Sequence, residues 1–151
     1  MREILFRGKT KAHNKWVYGW YCGKILNHDM SSTEESSQII DDKTLYWHTC
    51  EPETVGQFTG LTDKNGKKIF EGDVLKIAKA SDGTGHYYIP PLEYPVNAVV
   101  KWDLCAWMWE TLCDDKRYIG FPEAWCHYVC EVIGNIHDNP ELLNGGAEDG
   151  K

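Results

Sequence analysis

The segment at 54–76 constrains the fold of this chain more than any other. Its centre reads DKNG at 63–66, between two runs that contain β-forming residues. Gly has no Cβ and Asn tolerates the left-handed region, so the pair Asn65-Gly66 suits the positive φ angles of a tight hairpin turn. We therefore predict a hairpin with strands at 57–61 and 67–70.

A bend and several further strands follow from the rest of the pattern. Gly72 next to Asp73 predicts a sharp bend before a strand at 74–78. The chain of 151 residues contains seven Trp and eight Tyr, and aromatic residues favour pleated, half-buried surfaces. Alternating or apolar runs predict more strands at 2–7, 16–23, 44–49, 96–102, 105–112, 118–121 and 127–136.

These short strands and their Gly- and Pro-marked connections predict the fold class. We expect a mainly β protein with some α+β character, built as a small barrel with additional N-terminal strands. Asp138-Asn139 before Pro140 predicts a short C-terminal helical turn at 140–143. The predicted organisation is a β-rich subdomain at 1–53, a barrel portion at 54–143 and a flexible tail at 144–151.

Two segments are predicted to be irregular. The run NHDMSSTEESSQ at 27–38 is polar and poor in apolar residues, so we predict a mobile loop within 27–43. The segment 79–95 carries Gly83, Gly85 and three prolines. Because proline cannot donate to a strand ladder, this segment cannot be a central strand.

An aromatic row marks the second predicted strand. Trp16, Tyr18, Trp20 and Cys22 share one side of a period-two pattern. Such a row is typical of a face buried in the core, which is the interpretation we favour. The alternative is a platform on which nucleic-acid bases stack.

The charge balance limits the classes of partner. The net charge is −7, which argues against a general binder of phosphate backbones, since that function requires concentrated Lys and Arg. Residues 1–30 carry six basic and two acidic groups, a balance of +4, whereas residues 31–60 carry one basic and six acidic groups, a balance of −5. We interpret this asymmetry as a polarised, solvated surface.

The six cysteines raise the question of a metal site. The N-terminus has no apolar leader, and no apolar run approaches the ~18 residues of a membrane span, so we expect a reducing cytoplasm and free thiols. Cys126, His127 and Cys130 lie close in sequence, with Cys105 and Cys113 upstream. Their spacing differs from the paired C-x₂-C of structural zinc sites. We predict buried thiols, no metal and no cofactor.

No catalytic motif is present in the sequence. Neither a nucleotide-binding glycine motif, nor a G-x-S-x-G elbow, nor H-E-x-x-H occurs. The acidic residues Glu51, Glu53, Glu71 and Asp73 are predicted to solvate loops or to bond the backbone at a bend. We therefore predict no catalytic residue and no enzymatic activity.

Four blocks of the sequence resemble the YopX family. They are MREILFRGKTKAHNKWVYGWY at the start, ETVGQFTGLTDKNGKKIFEGDVLK in the centre, AVVKWD, and EVIGNIHDNPELL near the end. They occur in family order and span residues 1–143. The resemblance implies an SH3-like barrel, a bacteriophage or prophage origin and a bacterial cytoplasmic location. It implies no catalytic residues.

Two hypotheses for function follow. The first is a non-enzymatic phage accessory protein that acts by protein–protein contact, through self-association or on an unidentified partner. The alternative is a nucleic-acid-associated small barrel, in which lysines lie beside aromatic rings. The residues of that alternative site are Lys64, Lys67, Lys68, Phe58 and Phe70.

Overall fold

The protein is mainly β, with two antiparallel sheets and two short 3₁₀ turns in the described residues. The computed structural model describes residues 3–29, 32–79, 96–103, 106–113, 116–120 and 128–143. Contacts divide the chain into two compact units, Met1–Gly60 and Leu61–Lys151, whereas the sequence predicts a boundary at 53/54. The predicted tail, 144–151, lies outside the described residues.

The first sheet begins in the N-terminal unit. Its strand order is β4-β3-β2-β1-β5-β6, and β5 runs across the boundary after Gly60 to pair with β6. A 3₁₀ turn at Pro52–Thr54 connects β4 and β5. The strands are β1 (Phe6–Lys9), β2 (Trp16–Asp29), β3 (Ser32–Asp41), β4 (Trp47–Cys50), β5 (Gly56–Thr62) and β6 (Lys68–Phe70).

The predicted loop at 27–38 is wrong, because most of this segment belongs to β2 and β3. The two strands pair from Gly19↔Asp41 to Asp29↔Ser32, with a register shift between Tyr21 and Gly23. Strand pairing uses backbone groups, so it does not require apolar side chains. Small polar side chains also fit the interior here, since Ser36 and Ser37 are buried.

The second sheet lies in the C-terminal unit and contains its main core. Its strand order is β10-β9-β8-β7-β11. The strands are β7 (Asp73–Lys79), β8 (Val96–Asp103), β9 (Ala106–Cys113), β10 (Lys116–Gly120) and β11 (Tyr128–Asn135). A single cluster of buried side chains forms the core, with Leu61 packed against it: Ile69, Leu75, Ile77, Val96, Ala98, Val100, Trp107, Trp109, Cys130 and Val132.

The predicted hairpin at 63–66 is confirmed, and Asp63 organises it. Gly66 has φ +79°. The Asp63 carboxylate accepts hydrogen bonds from the backbone N–H groups of Asn65 (2.8 Å) and Lys67 (2.9 Å) within the turn. It also accepts one from Val132 on β11 at 3.0 Å, and Lys64 N donates to the Cys130 carbonyl. The hairpin tip thus covers backbone groups of an edge strand, which would otherwise offer a template for aberrant pairing.

The bend at Gly72 and the C-terminal turn are also confirmed. Gly72 has φ +78°, and its amide donates to the Val100 carbonyl while its own carbonyl accepts from Ile136. Buried Asp73 accepts a hydrogen bond from Phe70 N at 2.8 Å. The predicted helical turn is a 3₁₀ turn at Pro140–Leu143.

The described strands form two open sheets, so the SH3-like barrel stays a prediction. The predicted irregular segment at 79–95 lies outside the described residues, except for Lys79. Within the described part of the chain, no helix is long and apolar enough to cross a membrane.

Candidate functional site

An exposed aromatic face on the first sheet is the main surface feature of the N-terminal unit. Trp20 on β2 lies opposite Ile40 on β3, and Ile40 lies opposite Trp47 on β4. Residues directly opposite in antiparallel strands project from the same side of a sheet. Tyr18, two residues before Trp20, shares this side. We call Tyr18, Trp20, Ile40 and Trp47 the aromatic face.

The exposure of these side chains corrects the prediction that the aromatic row is a core face. Tyr18 is 41% exposed, Trp20 48% and Trp47 60%, and Cys22 is also exposed. On the opposite side of β3 and β4, Ile39 and Cys50 are buried. The period-two pattern correctly grouped the row, but burial was assigned to the wrong side.

Trp16, the first residue of the row, differs from the others because two cations cover it. The Arg7 guanidinium lies 4.7 Å from the centroid of the Trp16 ring, and Lys9 Nζ lies 5.7 Å from it. Arg7 is buried and Trp16 is half-buried. These distances fit cation–π contacts. The Trp16 ring therefore already contacts two side chains of the same chain, and we do not include it in the aromatic face.

A strained turn presents further apolar side chains beside the aromatic face. Leu45 has φ +60°, a left-handed conformation that is unfavourable for a residue with a branched, bulky side chain. Asp41 Oδ1 holds the turn by accepting hydrogen bonds from Lys43 N, Thr44 N and Thr44 Oγ1. These bonds lower the pKa of Asp41, the Thr44 backbone N–H having the largest effect.

The turn leaves Leu45 64% and Tyr46 72% exposed, directly before Trp47. Strain in a non-glycine residue tends to concentrate at functional positions. Leu45, Tyr46 and Trp47 were not among the site residues predicted from the sequence. The available signal was three consecutive large apolar residues after the polar run DDKT at 41–44.

The residues of the predicted nucleic-acid site have different environments. Phe58 and Phe70 are buried, at 6% and 3% exposure, so neither ring offers a face on which a base can stack. Lys64, Lys67 and Lys68 are exposed. Lys64 Nζ lies 2.6 Å from Glu131 Oε2, and this hydrogen bond and the lysine charge lower the pKa of Glu131. The five residues therefore do not form a stacking platform.

Two of the described cysteines, Cys50 and Cys130, are buried thiols. Burial, with a smaller contribution from Glu51, raises the pKa of the Cys50 thiol to about 11. Burial, followed by the nearby Asp63 charge, also raises the pKa of Cys130. Both thiols are buried as predicted, whereas Cys22 is exposed. In the described ranges no three His, Cys, Asp or Glu residues are grouped for a metal, and Cys105, Cys126 and His127 lie outside those ranges.

Of the four acidic residues weighed in the search for catalytic groups, Glu51 and Asp73 make contacts within the chain. Glu51 lies 3.8 Å from Lys11 Nζ, and its backbone N–H donates to the Lys9 carbonyl. Asp73 bonds the backbone at the bend. Glu53 is exposed and Glu71 is half-buried.

A small cavity lies on the second sheet. Its volume is about 150 Å³, and it is lined by Asn97, Val99, Lys101, Glu110, Thr111 and Leu143. Its polar groups bond within the chain: Asn97 Nδ2 donates to the Leu142 carbonyl at 2.8 Å, and Lys101 Nζ lies 2.7 Å from Glu110 Oε2. A polar ligand would have to compete with these bonds, so we prefer the aromatic face as the candidate site.

The fold and the surface define a mainly β protein of two units, with a group of exposed aromatic side chains on its first sheet. The model of the YopX protein family matches residues 5–144. The chain therefore belongs to the YopX family, as its sequence blocks predict. No curated protein matches the chain.

One similar solved structure is the crystal structure of protein EF1440 from Enterococcus faecalis. It is 25% identical in sequence to this chain, and the TM-score is 0.52. The match covers 95% of this chain and 99% of that chain. The two proteins are thus similar in fold along nearly their whole lengths.

Proposed function

We propose that this YopX-family chain is a phage- or prophage-encoded accessory protein that acts by protein–protein contact through the aromatic face, without catalysis, in the bacterial cytoplasm. The observation that carries the proposal is the exposure of Trp20 and Trp47 at matching register. The phage origin and the location rest on the family. The proposal requires no cofactor.

The chemistry of the aromatic face suits a protein partner. Trp and Tyr are enriched among the residues that contribute most to binding at protein interfaces, because they bury a large area with few rotatable bonds. A contiguous exposed apolar patch is uncommon on a monomer unless it serves an interaction. The neighbouring Leu45 and Tyr46 extend this patch.

We also propose that the C-terminal unit has an SH3-like architecture. The support is its five-stranded antiparallel sheet and the hairpin of β5 and β6. Ile69 of that hairpin and Leu61 pack with the core side chains of the sheet, and the hairpin tip bonds β11. In this proposal the unit is a scaffold and the aromatic face is the working surface.

The test compares the wild-type chain with the double variant Trp20→Ala/Trp47→Ala. Affinity capture from host lysate and sedimentation analysis should detect protein partners or self-association that the double variant loses. Trp102→Ala is the matched control, since Trp102 is 52% exposed in the C-terminal unit and outside the aromatic face. Contact that persists in the double variant, or a strict monomer that captures nothing, would refute the proposal.

Binding of single-stranded nucleic acid is the second candidate function. The observation that favours it is the combination of exposed rings with Lys9, whose Nζ lies 5.7 Å from the Trp16 ring at one end of the row. The net charge of −7 opposes it. Titration with fluorescent single- and double-stranded DNA at low and moderate salt distinguishes the two. Binding that weakens steeply with salt and requires Trp20 supports this function, and absence of binding at low salt removes it.

A further inference from the structure

The aromatic face contains a row of three residues whose two ends are alike. Trp20 lies opposite Ile40, and Ile40 lies opposite Trp47, on three neighbouring strands. Neighbouring strands are about 4.8 Å apart, so one tryptophan flanks Ile40 on each side at nearly equal distance. The order of side chains is therefore Trp–Ile–Trp in either direction across the sheet. A contact between two identical surfaces requires a self-complementary arrangement of this kind.

A two-fold axis through Ile40 would use this symmetry. Two copies of a sheet that pack face to face are related by an axis in the plane between them. If the axis follows β3, Trp20 of one copy meets Trp47 of the other. If the axis follows the row, each tryptophan meets its own counterpart. In both cases an indole ring meets an indole ring, and such aromatic pairs contribute more than their buried area alone.

The charge of the N-terminal unit is nearly balanced. The +4 of residues 1–30 and the −5 of residues 31–60 leave a balance of −1 for the unit. Part of this charge is also paired within the chain, since Lys24 Nζ lies 3.3 Å from Glu35 Oε2. A nearly neutral surface favours neither an acidic nor a basic partner, and it repels a second copy of itself little.

Two cations on the first sheet lie far from the row. Arg7 and Lys9 keep their charge over the Trp16 ring. Trp16 precedes Trp20 by four residues, which is roughly 13 Å along a strand. This distance exceeds the screening length of about 8 Å at physiological salt. Repulsion between these cations and those of a second copy is therefore weak at the row.

The area of the face predicts how tight the contact is. An aromatic side chain buries about 150–250 Å² when it is fully covered, so Tyr18, Trp20 and Trp47 at their exposed fractions offer roughly 200–400 Å² in each copy. Gln38 and Thr49, the next pair on this side of β3 and β4, add a polar rim. A standard interface buries about 800 Å² per partner. The face therefore suits a reversible dimer better than a permanent one.

We propose that the aromatic face is a two-fold contact between two copies of this chain, with Ile40 on the axis and the tryptophans of the two copies packed against each other. This inference rests on the proposed function, because it specifies the partner of the same surface. Burial of the two apolar rows drives the contact. Salt should therefore change the affinity by less than about twofold.

Sedimentation of the intact chain over a wide concentration range measures the self-association. Ile40→Lys and Ile40→Glu each place two like charges together at the axis, and each should weaken self-association more than about tenfold. In an equimolar mixture of the two variants, Lys faces Glu. The mixture should associate at least about tenfold more tightly than either variant alone. This rescue requires that position 40 of one copy meets position 40 of the other.

Leu26 supplies the matched control. It is an exposed aliphatic residue of β2, and it lies opposite Glu35. Positions 35 and 40 of β3 project from opposite sides of the sheet, because side chains alternate along a strand. Leu26→Lys and Leu26→Glu should therefore leave self-association unchanged, alone and in mixture.

Two-dimensional NMR of the wild-type chain at increasing dilution tests the contact without a variant. The indole N–H signals of Trp20 and Trp47 should shift with concentration, and that of Trp102 in the C-terminal unit should not. This measurement decides the question even if the variants at position 40 do not fold. Three results would overturn the inference: a monomer at every concentration, no rescue in the mixture of folded variants, and equal losses for the variants of Leu26 and Ile40.

Failure of the inference and failure of the proposed function give different results. If the chain is a monomer but capture from lysate still requires Trp20 and Trp47, the partner is a different protein and the protein-binding function stands. If neither capture nor self-association depends on the aromatic face, the function itself is wrong.

Discussion

The two sheets differ in the burial of tryptophan side chains on their aromatic strands. On β9 of the C-terminal unit, Trp107 and Trp109 are buried in the core cluster. On β2 and β4 of the N-terminal unit, Trp20 and Trp47 project from the sheet into solvent. In both cases alternation determines which residues share a face. What differs is whether another element covers that face, as Ile69 of the β5–β6 hairpin does in the core cluster.

The largest expected effect is the difference in stability between a variant that removes a buried ring and a variant that removes an exposed ring. Trp109 is 1% exposed, so Trp109→Ala should lower the free energy of unfolding by about 3–5 kcal/mol. Trp47→Ala, on the exposed face, should change it by less than about 1 kcal/mol. Urea denaturation measures both. If Trp109→Ala does not fold, Trp109→Phe should still lose clearly more stability than Trp47→Phe, and equal losses would contradict the contrast.

The second-largest expected effect concerns the β5–β6 hairpin, whose Ile69 belongs to the core cluster. Asp63→Ala removes the acceptor of three backbone N–H groups, from Asn65, Lys67 and Val132. Hydrogen bonds to a charged acceptor are stronger than neutral ones, and we expect a loss of about 3 kcal/mol in unfolding free energy. Asp42→Ala, at an exposed carboxylate, is the control and should cost less than about 0.5 kcal/mol. A loss for Asp63→Ala no larger than the control would show that the hairpin is held by packing alone.

The same carboxylate predicts how stability depends on pH. Burial acts to raise the pKa of Asp63, but the backbone N–H groups of Val132, Lys67 and Asn65 more than offset it and lower the pKa below its ordinary value of 3.8. A carboxyl whose pKa is lower in the folded state stabilises the fold above the unfolded pKa, and that stabilisation is lost as the pH falls through the folded pKa. The difference in unfolding free energy between wild type and Asp63→Asn should therefore shrink below pH 3.8. A difference that is constant with pH would contradict this role.

The smallest expected effect concerns the strained turn beside the aromatic face. Leu45→Gly relieves the left-handed conformation at φ +60° but adds backbone entropy to the unfolded chain. We expect a gain of at most about 1 kcal/mol in unfolding free energy. Partner capture should weaken, because the exposed Leu45 side chain is lost. Higher stability together with reduced capture would indicate that strain is retained for function, whereas unchanged capture would restrict the contact to the aromatic face.

Local signals in the sequence predicted the elements that depend on local geometry. Asn65-Gly66 identified the hairpin, Gly72 the bend and Pro140 the C-terminal turn. The polar run at 27–38 led to the wrong prediction of a loop. A strand ladder is formed by backbone groups, and its formation cannot be inferred from side-chain polarity alone. The aromatic face was assigned to the core for a different reason. The burial of Trp20 depends on which other parts of the chain pack against it. The sequence of its own strand does not contain that information.

The candidate site also depends on tertiary packing that the sequence alone does not reveal. The exposed lysines Lys64, Lys67 and Lys68 attracted attention because charge is visible in sequence, and Phe58 and Phe70 were paired with them by proximity along the chain. Their burial depends on tertiary packing. Trp47 belongs to the site because Ile40 sets it in register with Trp20, a relation between strands that the sequence alone does not provide.

The bond between Asp63 and Val132 also has a consequence for folding kinetics. It joins residues 69 positions apart in sequence, whereas the turn bonds of Asp63 span only 2 and 4 positions. Closing a long loop costs chain entropy and slows folding. The turn should therefore form early and its attachment to β11 late, after the transition state. In that case Asp63→Asn should accelerate unfolding more than it slows refolding, and the attachment would determine how long the native C-terminal unit persists once formed.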